Sequence, residues 1–155
     1  MLFIEYKMKT QYLFVYGTLR PQLAHGEAKN LIAELEIIGS ATVQGKLYDF
    51  GAYPGVINEK GIVYGDLLRI TNSEQLISLD AYEECTGCSP LFTRSITTAQ
   101  SCEGNSIAAW IYLFCGQTKS GVLIASGDYR EYFRNHKFEA GNTKPTRPLD
   151  TTESS

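Results

Sequence analysis

Short apolar runs separated by glycines are the main pattern along this chain. The first, residues 12–16, is rich in β-forming side chains and ends at Gly17, which predicts a buried strand. Tyr53-Pro54-Gly55 predicts a turn, because proline fixes φ and glycine tolerates positive φ. Further strands are predicted over residues 41–50, 61–70, 91–98 and 107–114. Short strands at this density, with few helices, favour a closed or partly closed β-barrel.

Helical patterns occupy three further segments of the chain. Residues 26–35 and 127–135 predict two weakly patterned helices, and residues 74–84 predict the clearest one. A capping box is expected at the start of the clearest helix, with Thr71 bonding the amide of Glu74 and Glu74 reaching back. Its apolar positions are Leu76, Ile77, Leu79 and Tyr82.

Glu83 falls on the apolar side of the 74–84 helix. It lies about 20° from the mean direction of the apolar residues, whereas Glu84 lies about 120° away. A carboxylate that faces the interior is costly unless it has a partner. Two interpretations stay open: at a frayed helix end Glu83 turns outward or pairs with Arg94, or it is a proton-transfer group whose proton affinity is raised by burial.

The segment after the first strand, Tyr16-Gly17-Thr18-Leu19-Arg20, combines a glycine with polar groups. Because Gly17 has no Cβ, backbone amides there can approach a ligand closely. Tyr16 adds a phenol, Thr18 a hydroxyl, and Arg20 a charge able to face a carboxylate. The chain contains neither GxxxxGK[ST] nor GxGxxG, which excludes a phosphate loop. On composition alone, a plain strand-to-loop turn is the simpler interpretation.

Size, composition and charge favour one globular domain. The 155 residues suit a single core, and a hydrophobic content of 43% excludes wholesale disorder. The predicted units are an N-terminal extension over 1–11, a domain over 12–137, and a polar, disordered tail over 138–155. A net charge of −3 gives no footprint for nucleic acid or anionic lipid, and no apolar run could span a bilayer. The apolar run at residues 2–4 is too short for a signal peptide, so we predict a cytoplasmic location.

Four cysteines raise the question of metal or redox chemistry. Cys85 and Cys88 have the CxxC spacing of zinc and redox motifs. A structural zinc site needs a second close pair, which Cys102 and Cys115 are too far apart to provide. A thioredoxin-like site needs the pair at a strand-to-helix turn, but this pair follows a helix. We therefore expect loop and core thiols.

Several segments form an ordered series of motifs. Val15-Tyr16-Gly17-Thr18-Leu19-Arg20 comes first, and Leu79-Asp80-Ala81-Tyr82-Glu83 lies near the middle. The others are residues 45–49 with 53–55, then 63–67, 109–112 and 126–129. This series, covering about residues 13–132, resembles the γ-glutamylcyclotransferase-like family, which includes γ-glutamylamine cyclotransferases and avirulence-induced plant proteins. Two departures stand out: Glu84 follows the glutamate where the family commonly has glycine, and Tyr129 replaces the tryptophan of a Gly-Asp-Trp block.

The resemblance implies an α+β fold, a small and mostly antiparallel β-barrel with a few short flanking helices. It also implies an enzyme that needs no metal or cofactor and releases 5-oxoproline and a free amine from a small γ-glutamyl substrate. Glu83 would be its catalytic general acid and base. The substrate-binding residues would be Tyr16, Gly17, Thr18, Leu19, Tyr112 and Tyr129. For Tyr112, a buried barrel tyrosine is the simpler alternative.

Two other function classes remain to be weighed. A non-catalytic module of the same fold would bind a small carboxylated ligand without turnover. A barrel for single-stranded nucleic acid is disfavoured by the net charge and by the lack of a basic stripe. His25 and His136 lie outside the matched motifs and are expected on the surface. The identity of the leaving amine and the oligomeric state cannot be predicted from these patterns.

Overall fold

The apolar runs of the sequence form the strands of a β-barrel with three helices outside it. The computed structural model describes residues 11–83 and 90–139, except for the side chains of residues 136–139. The strands are β1 (Gln11–Val15), β2 (Glu36–Asp49), β3 (Pro54–Ile70), β4 (Phe92–Ser101), β5 (Ser106–Phe114) and β6 (Val122–Leu123). The helices are α1 (Gly26–Ala33), α2 (Glu74–Tyr82) and α3 (Tyr129–Glu139), with a 3₁₀ turn at Thr118–Ser120.

Five of the strands close into a ring. Antiparallel pairing joins β1 to β3, β3 to β2, β2 to β4 and β4 to β5. The ring closes where β5 meets β1 in parallel, with Leu13 opposite Trp110, and β6 extends the sheet beside the end of β2. The predicted α+β fold with a mostly antiparallel barrel is therefore confirmed.

After Gln11, strand β1 is apolar because both of its faces are buried over residues 13–15. Leu13 and Val15 pack in a cluster with residues of α1 and α2. Phe14 and Tyr16 point the other way, into a second cluster that includes Tyr129 of α3. Alternation with period two explains how neighbouring residues enter different clusters. A strand buried on both faces thus reads as a continuous apolar run.

The turn before β3 differs from the one predicted at residues 53–55. The amide of Phe50 donates to the carbonyl of Tyr53 over 3.0 Å, and Gly51 between them has a φ of 93°. Pro54 and Gly55 already belong to β3. A Cβ at Gly55 would lie 2.9 Å from a ring carbon of Phe50, so this glycine serves a close approach rather than a turn.

Helix α2 begins with a capping arrangement shifted by one residue from the predicted box. The side chain of Asn72 accepts from the amide of Glu74 over 2.7 Å, and Gln75 accepts from the amide of Asn72 over 3.1 Å. Asn72 and Gln75 therefore bind amides at the start of the helix in place of Thr71 and Glu74, and the N-cap residue Ser73 makes no side-chain cap bond. Both pairs have the same spacing, so the local pattern alone does not separate them.

The ends of the chain fall largely outside the described residues. Helix α3 continues to Glu139, past the end predicted near residue 135. The domain boundaries predicted at 12 and 137, and the disordered tail over 138–155, stay predictions. Cys85 and Cys88 lie outside the described residues, whereas Cys102 and Cys115 are exposed free thiols. Within the described part of the chain, no helix has the length and apolar content needed to cross a membrane.

Candidate active site

One narrow pocket brings the two main sequence motifs together. The segment after β1 forms one side of it and Glu83, at the end of α2, another. Its volume is about 20 Å³, room for one or two water molecules. The described residues that line it are Phe14, Val15, Tyr16, Gly17, Thr18, Leu19, Pro54, Glu83 and Tyr112.

The turn at residues 17–20 is closed by a hydrogen bond from the amide of Arg20 to the carbonyl of Gly17, 2.9 Å. Within residues 11–83 and 90–139, the amides of Gly17, Thr18 and Leu19 donate to no backbone or side-chain acceptor. Successive amides of this kind can hold a carboxylate or an oxyanion. The turn therefore offers backbone donors that suit an anionic ligand.

Gly17 is required by its neighbour Pro54. A Cβ at position 17 would lie 2.5 Å from Cγ of the buried Pro54, closer than real Cβ contacts come. The glycine thus lets β1 and the start of β3 approach each other beside the pocket. Pro54 is a pocket residue that the sequence interpretation had assigned only to a turn.

The charge of Arg20 is neutralised by carboxylates of the protein itself, so its guanidinium group is not available to bind a ligand. Only 5% of the residue is exposed, and Nε donates to the buried carboxylate of Asp66 over 2.8 Å. Nη1 donates to Asp128 over 3.1 Å. Asp128 in turn accepts from the amides of Arg130 and Glu131 at the start of α3. The carboxylates that Arg20 binds therefore have a structural role. Their ion pairs with Arg20 connect the turn to β3 and to the start of α3.

Glu83 is buried at the C-terminal end of α2. It is 8% exposed, and its amide donates to the carbonyl of Leu79 over 2.9 Å. The inward direction agrees with the helical pattern, although Ile77, counted among the apolar positions, is 70% exposed. Arg94, considered as an ion-pair partner for Glu83, instead binds Asp80 through two hydrogen bonds.

Two tyrosines connect the walls of the pocket. The hydroxyl of Tyr16 donates to the carbonyl of Tyr112 over 2.6 Å, which ties the segment after β1 to β5. The hydroxyl of Tyr112 donates to Asp80 over 2.7 Å. Tyr112 is therefore both a buried barrel residue and a pocket residue, so the two interpretations of it are compatible.

Tyr129, predicted to bind substrate, does not line this pocket. It is fully buried at the start of α3, stacked near Tyr132 and Phe133. Its hydroxyl has no hydrogen-bond partner in the part of the chain that is described. Burial foremost, then the negative charge of Asp49 and the nearby Tyr132, raises the pKa of Tyr129. The substrate-binding role that the resemblance implies for Tyr129 stays a prediction, and the residue lies outside this pocket.

Replacing Tyr129 with Phe is expected to leave kcat/KM within about two-fold and to change the alkaline stability. The folded state keeps the phenol proton while the unfolded state loses it above about pH 10, so this residue lowers the free energy of unfolding as pH rises. The variant should therefore lose less stability between pH 9 and 11. Near pH 7 it should match or exceed the wild type, since an unpaired buried hydroxyl is removed.

Urea titrations at several pH values, together with steady-state kinetics, measure both effects. Phe133, the aromatic neighbour on the same helix, has no ionisable group, and Phe133→Leu serves as the control for packing changes alone. A ten-fold fall in kcat/KM for Tyr129→Phe would instead place Tyr129 among the substrate-binding residues.

His25 is exposed and precedes α1, as expected for a surface residue, and the side chain of His136 lies outside the described part. His25 and Tyr129 line a second, wider groove of about 370 Å³ with Leu23 and Arg130. Across the described residues, no three side chains of His, Cys, Asp or Glu lie close enough together to hold a metal ion.

A family model and the two relatives described below carry the same family name. A family model described as "Gamma-glutamyl cyclotransferase, AIG2-like" matches residues 13–131. A protein of Vibrio cholerae, provisionally named a gamma-glutamylcyclotransferase, is 32% identical over 120 residues, which are 76% of this chain and 93% of that protein. The gamma-glutamylcyclotransferase family protein YtfP of Escherichia coli K12 is 30% identical over 118 residues, 76% of this chain and 94% of YtfP.

A solved structure shows the same architecture. The crystal structure of an AIG2-like protein from Mus musculus superposes with a TM-score of 0.64 and 18% identity. The alignment covers 77% of this chain and 88% of the mouse protein. At this identity the likeness supports the fold alone.

Proposed function

Because the chain belongs to the gamma-glutamyl cyclotransferase, AIG2-like family, we propose that it converts a small γ-glutamyl compound into 5-oxoproline and a free amine. The observation that carries the proposal is the position of Glu83 in the same pocket as the turn over residues 16–19. An amide-rich turn offers sites for a carboxylate, and a buried carboxyl offers a group for proton transfer. The reaction needs both.

In the proposed reaction the α-amine of the glutamyl group attacks the γ-carbonyl of the same group. A bond forms between the α-nitrogen and the γ-carbon, and the bond from that carbon to the leaving nitrogen breaks. The α-ammonium loses two protons and the leaving amine gains two, so the overall proton count is unchanged. Ring closure is intramolecular, which means that the substrate itself supplies much of the required orientation.

Glu83 would act as general base and then as general acid. After the α-ammonium has lost one proton to solvent, Glu83 takes the second from the attacking amine and delivers it to the departing nitrogen, and the released amine takes one further proton from solvent. Such catalysis contributes about 10²–10⁴-fold and works best when the carboxyl pKa lies near the operating pH.

The turn would bind the glutamyl end of the substrate. The amides of Gly17, Thr18 and Leu19 supply donors for the α-carboxylate, or for the oxyanion that develops on the γ-carbonyl. Arg20 supplies no charge to this ligand, because Asp66 and Asp128 already accept from its guanidinium group. The pocket is narrow, so binding a glutamyl group requires movement of side chains that line it.

The second candidate function is a binding module that holds a small carboxylate without turnover. The narrowness of the pocket favours it, since a small anion fits with less rearrangement than a substituted glutamyl amide. Saturable binding of glutamate or 5-oxoproline without product release would support this alternative. A cytoplasmic location and the lack of nucleic-acid partners remain predictions.

A screen for 5-oxoproline release tests the proposal. The purified chain is incubated with γ-glutamyl amino acids, γ-glutamyl dipeptides such as γ-glutamyl-cysteinylglycine, γ-glutamyl-ε-lysine and γ-glutamyl alkylamines, and the product is quantified by chromatography. At least one compound should be turned over many times per protein molecule. Release no faster than in buffer across the whole panel, with saturable 5-oxoproline binding, would replace the enzyme by the binding module.

A further inference from the structure

Asp80 links three structural elements beside the pocket. It lies on α2, one turn before Glu83. One of its carboxylate oxygens accepts from the hydroxyl of Tyr112 over 2.7 Å and from Nε of Arg94 over 2.8 Å. Its other oxygen accepts from Nη2 of Arg94 over 3.2 Å. A single side chain of α2 thus binds residues of both β4 and β5.

The partners of Asp80 are themselves held in place. Arg94 and Tyr112 lie directly opposite each other in the β4–β5 ladder, so their side chains share one face of the sheet. The guanidinium group of Arg94 stacks over the ring of Trp110 at 4.2 Å from the ring centre. The indole nitrogen of Trp110 donates to the side chain of Gln11 on β1 over 2.7 Å. The carboxylate of Asp80 is therefore anchored to the barrel through Arg94.

Tyr112 is the member of this network that reaches the pocket. Tyr112 lines the pocket, and its carbonyl accepts the hydrogen bond from Tyr16. A phenol that donates to a carboxylate makes a short, charge-assisted bond, which fixes the ring more firmly than a bond to a neutral group. The position of Tyr112 therefore depends on Asp80, and that of Asp80 depends on Arg94.

We propose that Asp80, oriented by Arg94, is a positioning residue that sets the Tyr112 ring against the glutamyl group in the pocket. This inference rests on the proposed function. Asp80 acts through Tyr112 and takes no part in the proton transfers. Because Asp80 lies in the last turn of α2 and Glu83 directly follows that helix, the contact also holds the end of α2 against β5.

A double-mutant cycle between Asp80→Ala and Tyr112→Phe tests the coupling. We expect Asp80→Ala to lower kcat/KM by about 10- to 100-fold in the wild-type background, since a small misplacement in an active site is costly. In the Tyr112→Phe background the same change should cost less than about three-fold, because the hydrogen bond is already lost. Asp80→Asn should recover part of the activity, as its side-chain oxygen still accepts from Tyr112.

Tyr132→Phe is the matched control. The hydroxyl of Tyr132 donates to Asp49 over 2.6 Å, a tyrosine–carboxylate bond of the same kind between α3 and β2. Tyr132 does not line the pocket, so its variant should keep kcat/KM within about two-fold despite losing the bond. Thermal unfolding of every variant separates lost stability from lost positioning. If Asp80→Ala does not fold, Arg94→Gln, which removes the cation that orients Asp80, takes its place in the cycle with Tyr112→Phe.

Affinity for 5-oxoproline, measured by calorimetry, gives a second readout that does not require turnover. If Asp80→Ala lowers kcat/KM by the same factor in the wild-type and the Tyr112→Phe backgrounds, the positioning role is overturned while the proposed reaction stays intact. If the wild type binds 5-oxoproline but releases none from the panel, the reaction is overturned and the cycle is evaluated from the binding affinities. A wild type with neither binding nor turnover overturns both.

Discussion

Replacing Glu83 with Gln is expected to lower kcat for 5-oxoproline release by about 10²–10⁴-fold, the range that general acid-base catalysis contributes. Glutamine keeps the size and a hydrogen-bonding carbonyl but cannot exchange protons at neutral pH. KM should change much less than kcat, because the turn over residues 16–19 and not Glu83 is proposed to hold the glutamyl end. Steady-state kinetics with the best substrate of the panel measures both constants.

Glu74→Gln is the control for this experiment. Glu74 lies on the same helix but is exposed, so its variant should keep the activity of the wild type. Near-normal unfolding transitions of both variants would show that the helix is intact. Full activity of Glu83→Gln would contradict the catalytic role of Glu83. The proposed reaction itself would stand, because 5-oxoproline would still be released.

The second large effect is expected on stability, from Arg20→Met. This change leaves the carboxylate of Asp66, which is 3% exposed, without its cation. Removing one partner of a buried ion pair typically costs about 3–5 kcal/mol, because the remaining charge stays desolvated. We expect a loss of this size in the free energy of unfolding, measured by urea titration at pH 7.

Arg69→Met is the matched control for Arg20. Arg69 also pairs with a carboxylate, that of Glu36, but the two side chains of this pair are 40% and 52% exposed. Exposed pairs contribute about 0–1 kcal/mol. If Arg20→Met and Arg69→Met lower the free energy of unfolding by the same amount, the ion pairs of Arg20 do not stabilise the packing of the turn against β3 and α3.

The sequence predicts the strands and the direction of Glu83 because both depend on local periodicity. The apolar run over residues 12–16 is continuous since β1 packs on both sides, and Glu83 follows the buried positions Leu76, Leu79 and Tyr82. The prediction that Ile77 lies on the buried side of the helix is wrong. A single exposed apolar residue changes the mean direction of the apolar residues too little to be detected from the sequence. Local periodicity is therefore informative about elements and weak about individual positions.

The parts that could not be predicted depend on contacts between distant segments. Pro54 meets Gly17, and Asp80 meets Arg94 and Tyr112, only after the barrel has closed. Similarly, the sequence indicates that the charge of Arg20 is available for a ligand, since nothing near it in the chain shows that Asp66 and Asp128 face it. The motif position of Tyr129 determines only that it begins α3, so its separation from this pocket could not be predicted.

A crystal structure with 5-oxoproline bound tests the central claim most directly, that the turn over residues 16–19 and Glu83 serve one ligand. We predict the carboxylate within hydrogen-bond distance of the amides of Gly17, Thr18 or Leu19, with the lactam group next to Glu83. Binding of 5-oxoproline in the groove beside Arg130, with the pocket at Glu83 unchanged, would contradict this account.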